Sequence, residues 1–158
     1  MQLSDYDYDL PDELIARYPT ERRRDSRLLE VGAAPVDRTL AELPDLLREG
    51  DLLVFKDSRV SPARLRGRKE TGGRAEILVE RVTGTHTALV QLRASKSPGV
   101  GVRLLFEPEG TAVVAGRAGE FYELEVDGDV MHLLDTQGEM PLPPYLGRSA
   151  ETADRDRY

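Results

Sequence analysis

The feature that most constrains the fold is a series of short alternating segments between residues 74 and 126. Apolar and polar side chains alternate in "RAEILVERV", "HTALVQLR" and "EFYELEV", and two shorter apolar segments are "GVRLLF" and "TAVVAG". Turn-forming residues, among them Gly84, Pro98 and Gly119, separate these segments. Several short strands at such a spacing are typical of a small barrel or sandwich. We therefore predict an all-β module here.

The first 58 residues follow a different pattern, which predicts a mixture of α and β structure. "DLPDELIARYP", at 9–19, predicts a short helix, because proline suits the first helical turn and the Tyr-Pro pair ends it. "LPDLLREG" predicts one or two more helical turns, and the apolar segment at 51–56 that follows predicts a buried strand. Beyond the β module, "DVMHLLDTQG" predicts a short helix ended by Gly138.

These segments together predict an α/β fold with an inserted all-β, barrel-like module. Residues 1–60 form the N-terminal part of the α/β domain, 61–150 the insertion, and 151–158 the start of the return. Two short helices and one or two strands bury too little apolar surface to be stable alone. We therefore expect the α/β domain to be incomplete in this chain and to continue beyond residue 158.

Composition excludes several classes of site and location. The 158 residues include no cysteine, which excludes disulfides, thiolate zinc sites and cysteine-ligated iron–sulfur clusters. No apolar run exceeds four residues, and the N-terminus lacks a signal-peptide pattern, so we expect a cytoplasmic protein without a membrane partner. Neither His86 nor His132 lies in a catalytic or metal-binding motif, and no Walker A or dinucleotide-binding glycine pattern is present. We expect no bound metal.

A basic stretch at 56–73, "KDSRVSPARLRGRKETGG", carries a net charge of +4 in a chain whose net charge is −7. Asp57 and Ser58 follow the predicted strand, at the position where ligands bind in open α/β sheets. Arg59 then supplies a bidentate donor suited to carboxylate or phosphate. The alternative is structural: Asp57 and Ser58 cap a turn, and Arg59 pairs with Asp57.

Alternation in "ARLRGRK" places Arg64, Arg66 and Arg68 on one face of an extended segment. Such an array of like charges favours an anionic ligand, although a basic hairpin on the surface has the same pattern. A second unusual segment, "MPLPPYLGR", has three prolines and Tyr145. It could form a wall on which a planar base stacks, or a stiff linker packed on the core.

Several of these motifs occur together, in this order and spacing, in one known family. They are "ELIARYP", "RDSRLL", the stretch from "LPDLLREGDLLVF" to "GRAEILV", "EMPLPPYLGR" and "DRDRY". Across essentially all 158 residues the chain resembles the N-terminal half of the S-adenosylmethionine:tRNA ribosyltransferase-isomerases of queuosine biosynthesis. Family members continue with motifs similar to "QTVYA" and "GLHFT", which this chain lacks, so we expect it to be a fragment that is inactive alone.

The resemblance implies a reaction in which S-adenosylmethionine is the ribosyl donor. The ribosyl part is transferred to 7-aminomethyl-7-deazaguanine in tRNA and isomerised, giving epoxyqueuosine-tRNA with release of adenine and methionine. The substrate amine is the nucleophile, so neither a cysteine nor a prosthetic group is implied. The expected partners are therefore tRNA and S-adenosylmethionine, and we expect a monomer.

On this basis we assign roles to individual residues. We expect Asp57 to be the catalytic proton acceptor and Ser58, Arg59 and Tyr145 to bind the small substrate. We expect Arg64, Arg68 and Lys69 to hold tRNA phosphate. Lys56 departs from the family, which usually has asparagine there. Two alternatives from other classes are a non-catalytic RNA-binding barrel and a methyltransferase that labels RNA with methyl groups.

Overall fold

The computed structural model describes residues 2–157, which form two compact units. One unit comprises the chain up to residue 58 together with 143–148. The other comprises residues 59–142 together with those from 149 onward, and it contains most of the regular structure. The predicted domain boundaries at residues 60 and 150 stay a prediction.

The first unit is built around one antiparallel hairpin, β1 (Arg27–Glu30) and β2 (Val36–Thr39). A 3₁₀ turn, Leu40–Glu42, and a single helical turn, α1 (Leu43–Leu46), follow it. The Thr39 backbone amide donates to a Glu42 carboxylate oxygen at 2.8 Å, and this bond lowers the pKa of Glu42. Local hydrogen bonds of this kind therefore fix the turn after β2.

Two predicted elements of this unit are wrong. The predicted helix at 9–19 is reduced to a 3₁₀ turn at Asp12–Leu14, and its apolar residues Leu10 and Leu14 are exposed. A short helix needs an apolar face to pack, and without one it does not repay the cost of nucleation. The predicted strand at 51–56 has no regular structure, and Phe55 is 74% exposed. No strand of residues 2–157 pairs with it, so its backbone groups lack the ladder that a strand requires.

The second unit contains a closed six-stranded antiparallel barrel. Its strands are β3 (Arg64–Lys69), β4 (Arg74–Val82), β5 (Thr87–Ala94), β6 (Arg103–Phe106), β7 (Thr111–Ala118) and β8 (Phe121–Val126). The order around the barrel is β3-β4-β5-β8-β7-β6, and β6 pairs with β3 to close it. The predicted barrel-like module is confirmed. An α/β domain is not, since every strand pair among residues 2–157 is antiparallel.

The interior of the barrel is filled by the side chains that point inward, which are about every second residue along each strand. The most deeply buried side chains of this core are Ile77, Val90, Leu104, Ala112, Val114 and Val130. Two irregularities, after Val79 in β4 and after Val114 in β7, shift the register by one residue. Such bulges increase the local twist and bend, which a small closed barrel needs.

A helix, α2 (Val130–Gln137), packs Val130, Leu133 and Leu134 into the same core. The Asp129 side chain caps it by accepting hydrogen bonds from the amides of Met131 at 2.7 Å and His132 at 3.0 Å. The helix ends at Gly138, whose amide donates to the Leu134 carbonyl at 2.8 Å. The short helix predicted here is confirmed. A second helical turn, α3 (Asp154–Arg157), ends the described chain.

Replacing Gly138 by alanine is expected to destabilise the barrel unit strongly, because a β-carbon there would overlap the carbonyl oxygens of Pro62 and Leu134. Both obstacles are backbone atoms, so the loss should lie at the upper end of the roughly 1–3 kcal/mol typical of overpacking. Gly99→Ala is the matched control, since nothing lies within 4 Å of its β-carbon position. Urea unfolding of Gly138→Ala and Gly99→Ala measures the loss of stability in each. Equal stability of the two variants would contradict the prediction.

Candidate functional site

Asp57, Ser58 and Arg59 lie in an irregular segment, residues 47–63, that contains no helix or strand. All three residues are exposed. Their side chains make no hydrogen bond or ion pair with the rest of the described chain, so the alternative in which Arg59 pairs with Asp57 is not what the structure has. A carboxylate, a hydroxyl and a guanidinium are therefore all available to a ligand from three successive positions.

Tyr145 lies in a 3₁₀ turn, Pro144–Leu146, of the first unit. The turn is fixed to the N-terminal part of the chain: the Arg17 guanidinium donates to the Leu146 carbonyl at 3.0 Å, and the Arg148 guanidinium donates to the Arg17 carbonyl at 2.7 Å. Arg148 also lies 4.4 Å from the centre of the Tyr18 ring. The Tyr145 side chain itself is 66% exposed, which leaves an aromatic face on a fixed turn open for stacking.

The basic residues of β3 alternate as predicted, with Leu65 facing the core and Arg64, Arg66 and Arg68 facing outwards. They differ in their availability to a ligand. Arg64 is mostly covered: its side chain is 20% exposed, lies 3.4 Å from a Glu76 oxygen and donates to the Leu142 carbonyl at 3.2 Å. Arg68 is open, with its nearest carboxylate, Glu107, at 3.9 Å. Arg66 donates to a Glu139 carboxylate oxygen at 2.9 Å. Arg68 can therefore exchange its long ion pair for a ligand more readily than Arg66 can.

Lys69, at the end of β3, donates to the Lys96 carbonyl at 3.3 Å. The three predicted tRNA-binding residues, Arg64, Arg68 and Lys69, are thus brought together on one barrel strand. Of the predicted small-substrate residues, Asp57, Ser58 and Tyr145 belong to the first unit, whereas Arg59 belongs to the barrel unit. The candidate residues are therefore divided between the two units.

Two exposed arginines next to these residues were missed by sequence reasoning. Arg74, in β4, lies directly opposite Arg68, and Arg93, in β5, lies opposite Glu76. The sequence carries a partial signal, because Arg74 follows the Gly72-Gly73 turn at the position that a tight hairpin brings back beside Arg68. No comparable signal exists for Arg93, whose position depends on the register between β4 and β5.

Residues 2–157 contain no group of three or more histidine, cysteine, aspartate or glutamate side chains arranged to hold a metal ion. Within the same residues, no helix is both long and apolar enough to span a membrane. The two histidines lie elsewhere: the His86 ring shares a hydrogen bond with the Gly128 carbonyl at 2.6 Å, and the His132 side chain is exposed in α2.

Curated relatives of this chain from different organisms carry the same name. The chain is 51% identical over 163 residues to an S-adenosylmethionine:tRNA ribosyltransferase-isomerase of Xylella fastidiosa (strain M12), covering 100% of this chain and 47% of that protein. It is 48% identical over 157 residues to the protein of the same name in Herminiimonas arsenicoxydans, covering 99% of this chain and 46% of that protein. The chain thus spans about half the length of the curated relatives it matches.

Among solved structures, the chain is similar to the S-adenosylmethionine tRNA ribosyltransferase of Thermotoga maritima. The TM-score is 0.46 at 31% sequence identity, over 85% of this chain and 48% of that one. The family model described as "Queuosine biosynthesis protein" matches residues 3–158, which is nearly the whole chain. This match confirms the resemblance seen in the sequence motifs, and the chain belongs to the queuosine biosynthesis protein family.

Proposed function

We propose that this chain is part of an S-adenosylmethionine-dependent tRNA ribosyltransferase-isomerase. The reaction transfers the ribosyl part of S-adenosylmethionine to 7-aminomethyl-7-deazaguanine in tRNA and isomerises it, giving epoxyqueuosine-tRNA, adenine and methionine. The observation that carries the proposal is the family match over residues 3–158, supported by 51% identity to a relative of that name across the whole chain. The proposal includes a cytoplasmic location and a monomeric state.

The chemistry requires a base rather than a protein nucleophile. The sulfonium of S-adenosylmethionine makes the neighbouring C5′ hydrogens of the ribose acidic, so a carboxylate that takes one of them could start the rearrangement. Asp57 is the residue that we assign to this role. The substrate amine then forms the new bond to the ribosyl part, whose bonds to adenine and to the sulfur of methionine break to release both products. The chain, which has no cysteine, therefore needs neither a thiolate nor a prosthetic group for the proposed reaction.

The neighbouring residues are assigned by their chemistry and availability. Ser58 and Arg59 would bind the small substrate, since both are exposed and have no partner in the described chain. Tyr145 would stack on a planar base from its fixed turn. Lys56, also exposed, places a charge beside Asp57 where the family usually has an amide.

The tRNA contacts are assigned to Arg64, Arg68 and Lys69 of β3. Guanidinium and ammonium groups neutralise phosphate, and contacts of this kind supply most of the affinity and position the nucleic acid. Arg68 is the most available of the three because its ion pair with Glu107 is long and exposed. Arg64, which already holds Glu76 and the Leu142 carbonyl, would contribute mainly its charge.

The test is release of adenine from S-adenosylmethionine in the presence of tRNA that carries 7-aminomethyl-7-deazaguanine. Because the chain spans 47% of its X. fastidiosa relative, the assay uses a fusion in which the chain replaces the matching part of that protein. We expect adenine and methionine in equal amounts, with no methyl transfer to RNA from a methyl-labelled donor. The chain alone serves as the control and is expected to release none.

Two outcomes would replace the proposal. Labelled methyl groups on the RNA would indicate a methyltransferase. A folded fusion that binds tRNA and releases no adenine would favour a non-catalytic RNA-binding barrel. The closed barrel, in which the outward face of β3 is basic, is the observation that supports this alternative.

A further inference from the structure

A groove of about 630 Å³ crosses the outer surface of the barrel over β3, β4 and β5. Its lining consists of Arg66, Gly67, Arg68, Arg74, Ala75, Glu76, Arg93, Ala94 and Glu107. Gly67, Ala75 and Ala94 lie opposite one another on the three strands, and Ala75 is buried on the core side. Side chains alternate along a strand, so these three residues offer mainly backbone to the outside and form a shallow floor between the longer side chains.

The walls of this groove are basic. Four arginines and two glutamates line it, a net charge of +2 in a chain whose net charge is −7. Arg68 and Arg74 are directly opposite in the β3–β4 register. Side chains so placed start about 5 Å apart, and like charges at that position destabilise a sheet. The barrel therefore carries an electrostatic cost at this position that a bound anion would remove.

Arg66 is paired with Glu139, which lies outside the lining, at 2.9 Å, and the two glutamates of the lining leave much of the remaining charge uncompensated. Glu107 approaches Arg68 only to 3.9 Å, and its side chain is 78% exposed. Glu76 is opposite Arg93 in register, but its carboxylate pairs with Arg64 at 3.4 Å instead. Within the part of the chain that the structure describes, Arg74 and Arg93 have no ion-pair partner.

We propose that this groove binds the sugar–phosphate backbone of tRNA, with Arg74 and Arg93 as direct phosphate contacts. Adjacent strands are about 4.8 Å apart, so arginines on β3, β4 and β5 extend over about 10 Å, more than one phosphate group covers. An open groove with several guanidinium groups suits an extended polyanion, which arginine binds in bidentate geometry. The inference rests on the proposed function, which makes tRNA the substrate, and adds β4 and β5 to the contact surface.

The test compares tRNA binding by the 158-residue chain and by its Arg74→Ala/Arg93→Ala variant over a range of salt concentrations. Losing two phosphate contacts should reduce the slope of log K against log salt by about 2. At low salt the dissociation constant should rise by about tenfold or more. Thermal unfolding of each variant verifies that the barrel is intact, which is expected because both side chains are exposed.

The matched control is Arg48→Ala/Arg81→Ala, which removes two exposed arginines that do not line the groove. Arg81 lies on the same strand as Arg74, seven residues and about 23 Å further along. We expect this control to bind tRNA with the salt slope of the unaltered chain. An equal change of slope in both variants would assign the effect to overall charge and overturn the proposed groove site. An unchanged slope in the groove variant, or no tRNA binding by the unaltered chain, would also overturn it.

Adenine release by the fusion protein separates this inference from the proposed function. If the groove variant loses tRNA affinity but the unaltered fusion releases no adenine, tRNA binding by the groove is supported and the enzymatic proposal is contradicted. If the unaltered fusion releases adenine and the groove variant has an unchanged KM for tRNA, the enzymatic proposal is supported and tRNA binding by the groove is contradicted.

Discussion

Replacing Asp57 by asparagine in the fusion protein is expected to lower the rate of adenine release by at least about 100-fold. The amide keeps the size and shape of the side chain but cannot accept the proton, and a positioned base contributes roughly 10²–10⁴-fold to a rate. The KM for tRNA should stay unchanged, because the tRNA contacts are assigned to other residues. Single-turnover measurement of adenine release, with tRNA binding measured in parallel, checks both values.

Asp45→Asn is the control for this substitution. Asp45 is an exposed aspartate of the same compact unit, in α1, and its side chain makes no hydrogen bond or ion pair with the described chain. We expect it to leave both the rate and the KM unchanged. Normal turnover by the Asp57 variant would remove Asp57 from the mechanism, and a base would then have to be sought outside this chain's candidate residues.

Replacing Leu104 by alanine is expected to reduce the free energy of unfolding by about 2–5 kcal/mol, the range for leucine at a well-packed site. Leu104 has 0% exposure and lies in β6, the strand whose pairing with β3 closes the barrel. The loss combines the transfer free energy of the removed atoms with a cavity that the closed barrel cannot easily collapse. Urea unfolding followed by circular dichroism gives the value.

Leu52→Ala is the control because it makes the same chemical change at a side chain that is 86% exposed. Its effect should be within about 0.5 kcal/mol, as for most surface substitutions. If the two variants lost similar stability, the assignment of Leu104 to a rigid core would be wrong.

The barrel strands were predictable because their signal is local. In β8, Phe121–Val126, buried Tyr122, Leu124 and Val126 alternate with exposed Glu123 and Glu125, and this period of two can be read from the letters alone. The short helix α2 was predictable for the same reason, since its terminal glycine, Gly138, follows it directly in the sequence. The sequence pattern that predicts each of these elements lies within about ten residues.

The first 58 residues were predicted less well because their structure depends on partners. The segment at 51–56 has the apolar composition of a buried strand, but a strand forms only when another strand accepts its hydrogen bonds. The helix predicted at 9–19 has suitable end signals and no surface within the described unit that covers its apolar residues. The hairpin of β1 and β2 was not predicted at all, since its burial pattern is weak.

The arrangement of the candidate residues in the fold was predicted in part. The basic strand β3 and Asp57 could be named from the sequence, and the Gly72-Gly73 turn gave a partial signal for Arg74 opposite Arg68. Arg93 could not be named, because its place opposite Glu76 depends on the register between β4 and β5. Register is set by hairpin geometry and by which side chains fill the core, and a shift of one residue would turn Arg74 inwards.

The sequence by itself determined the alternation of the barrel strands, the helix α2 and the family of the chain, since these depend on neighbouring residues or on motif order. Only the tertiary structure decided that the barrel closes through β3 and β6, and that four arginines meet in one groove. The physical reason is that closure and the groove arise from pairings between residues far apart in the chain. Those pairings are selected by the packing of the whole core and not by any single segment.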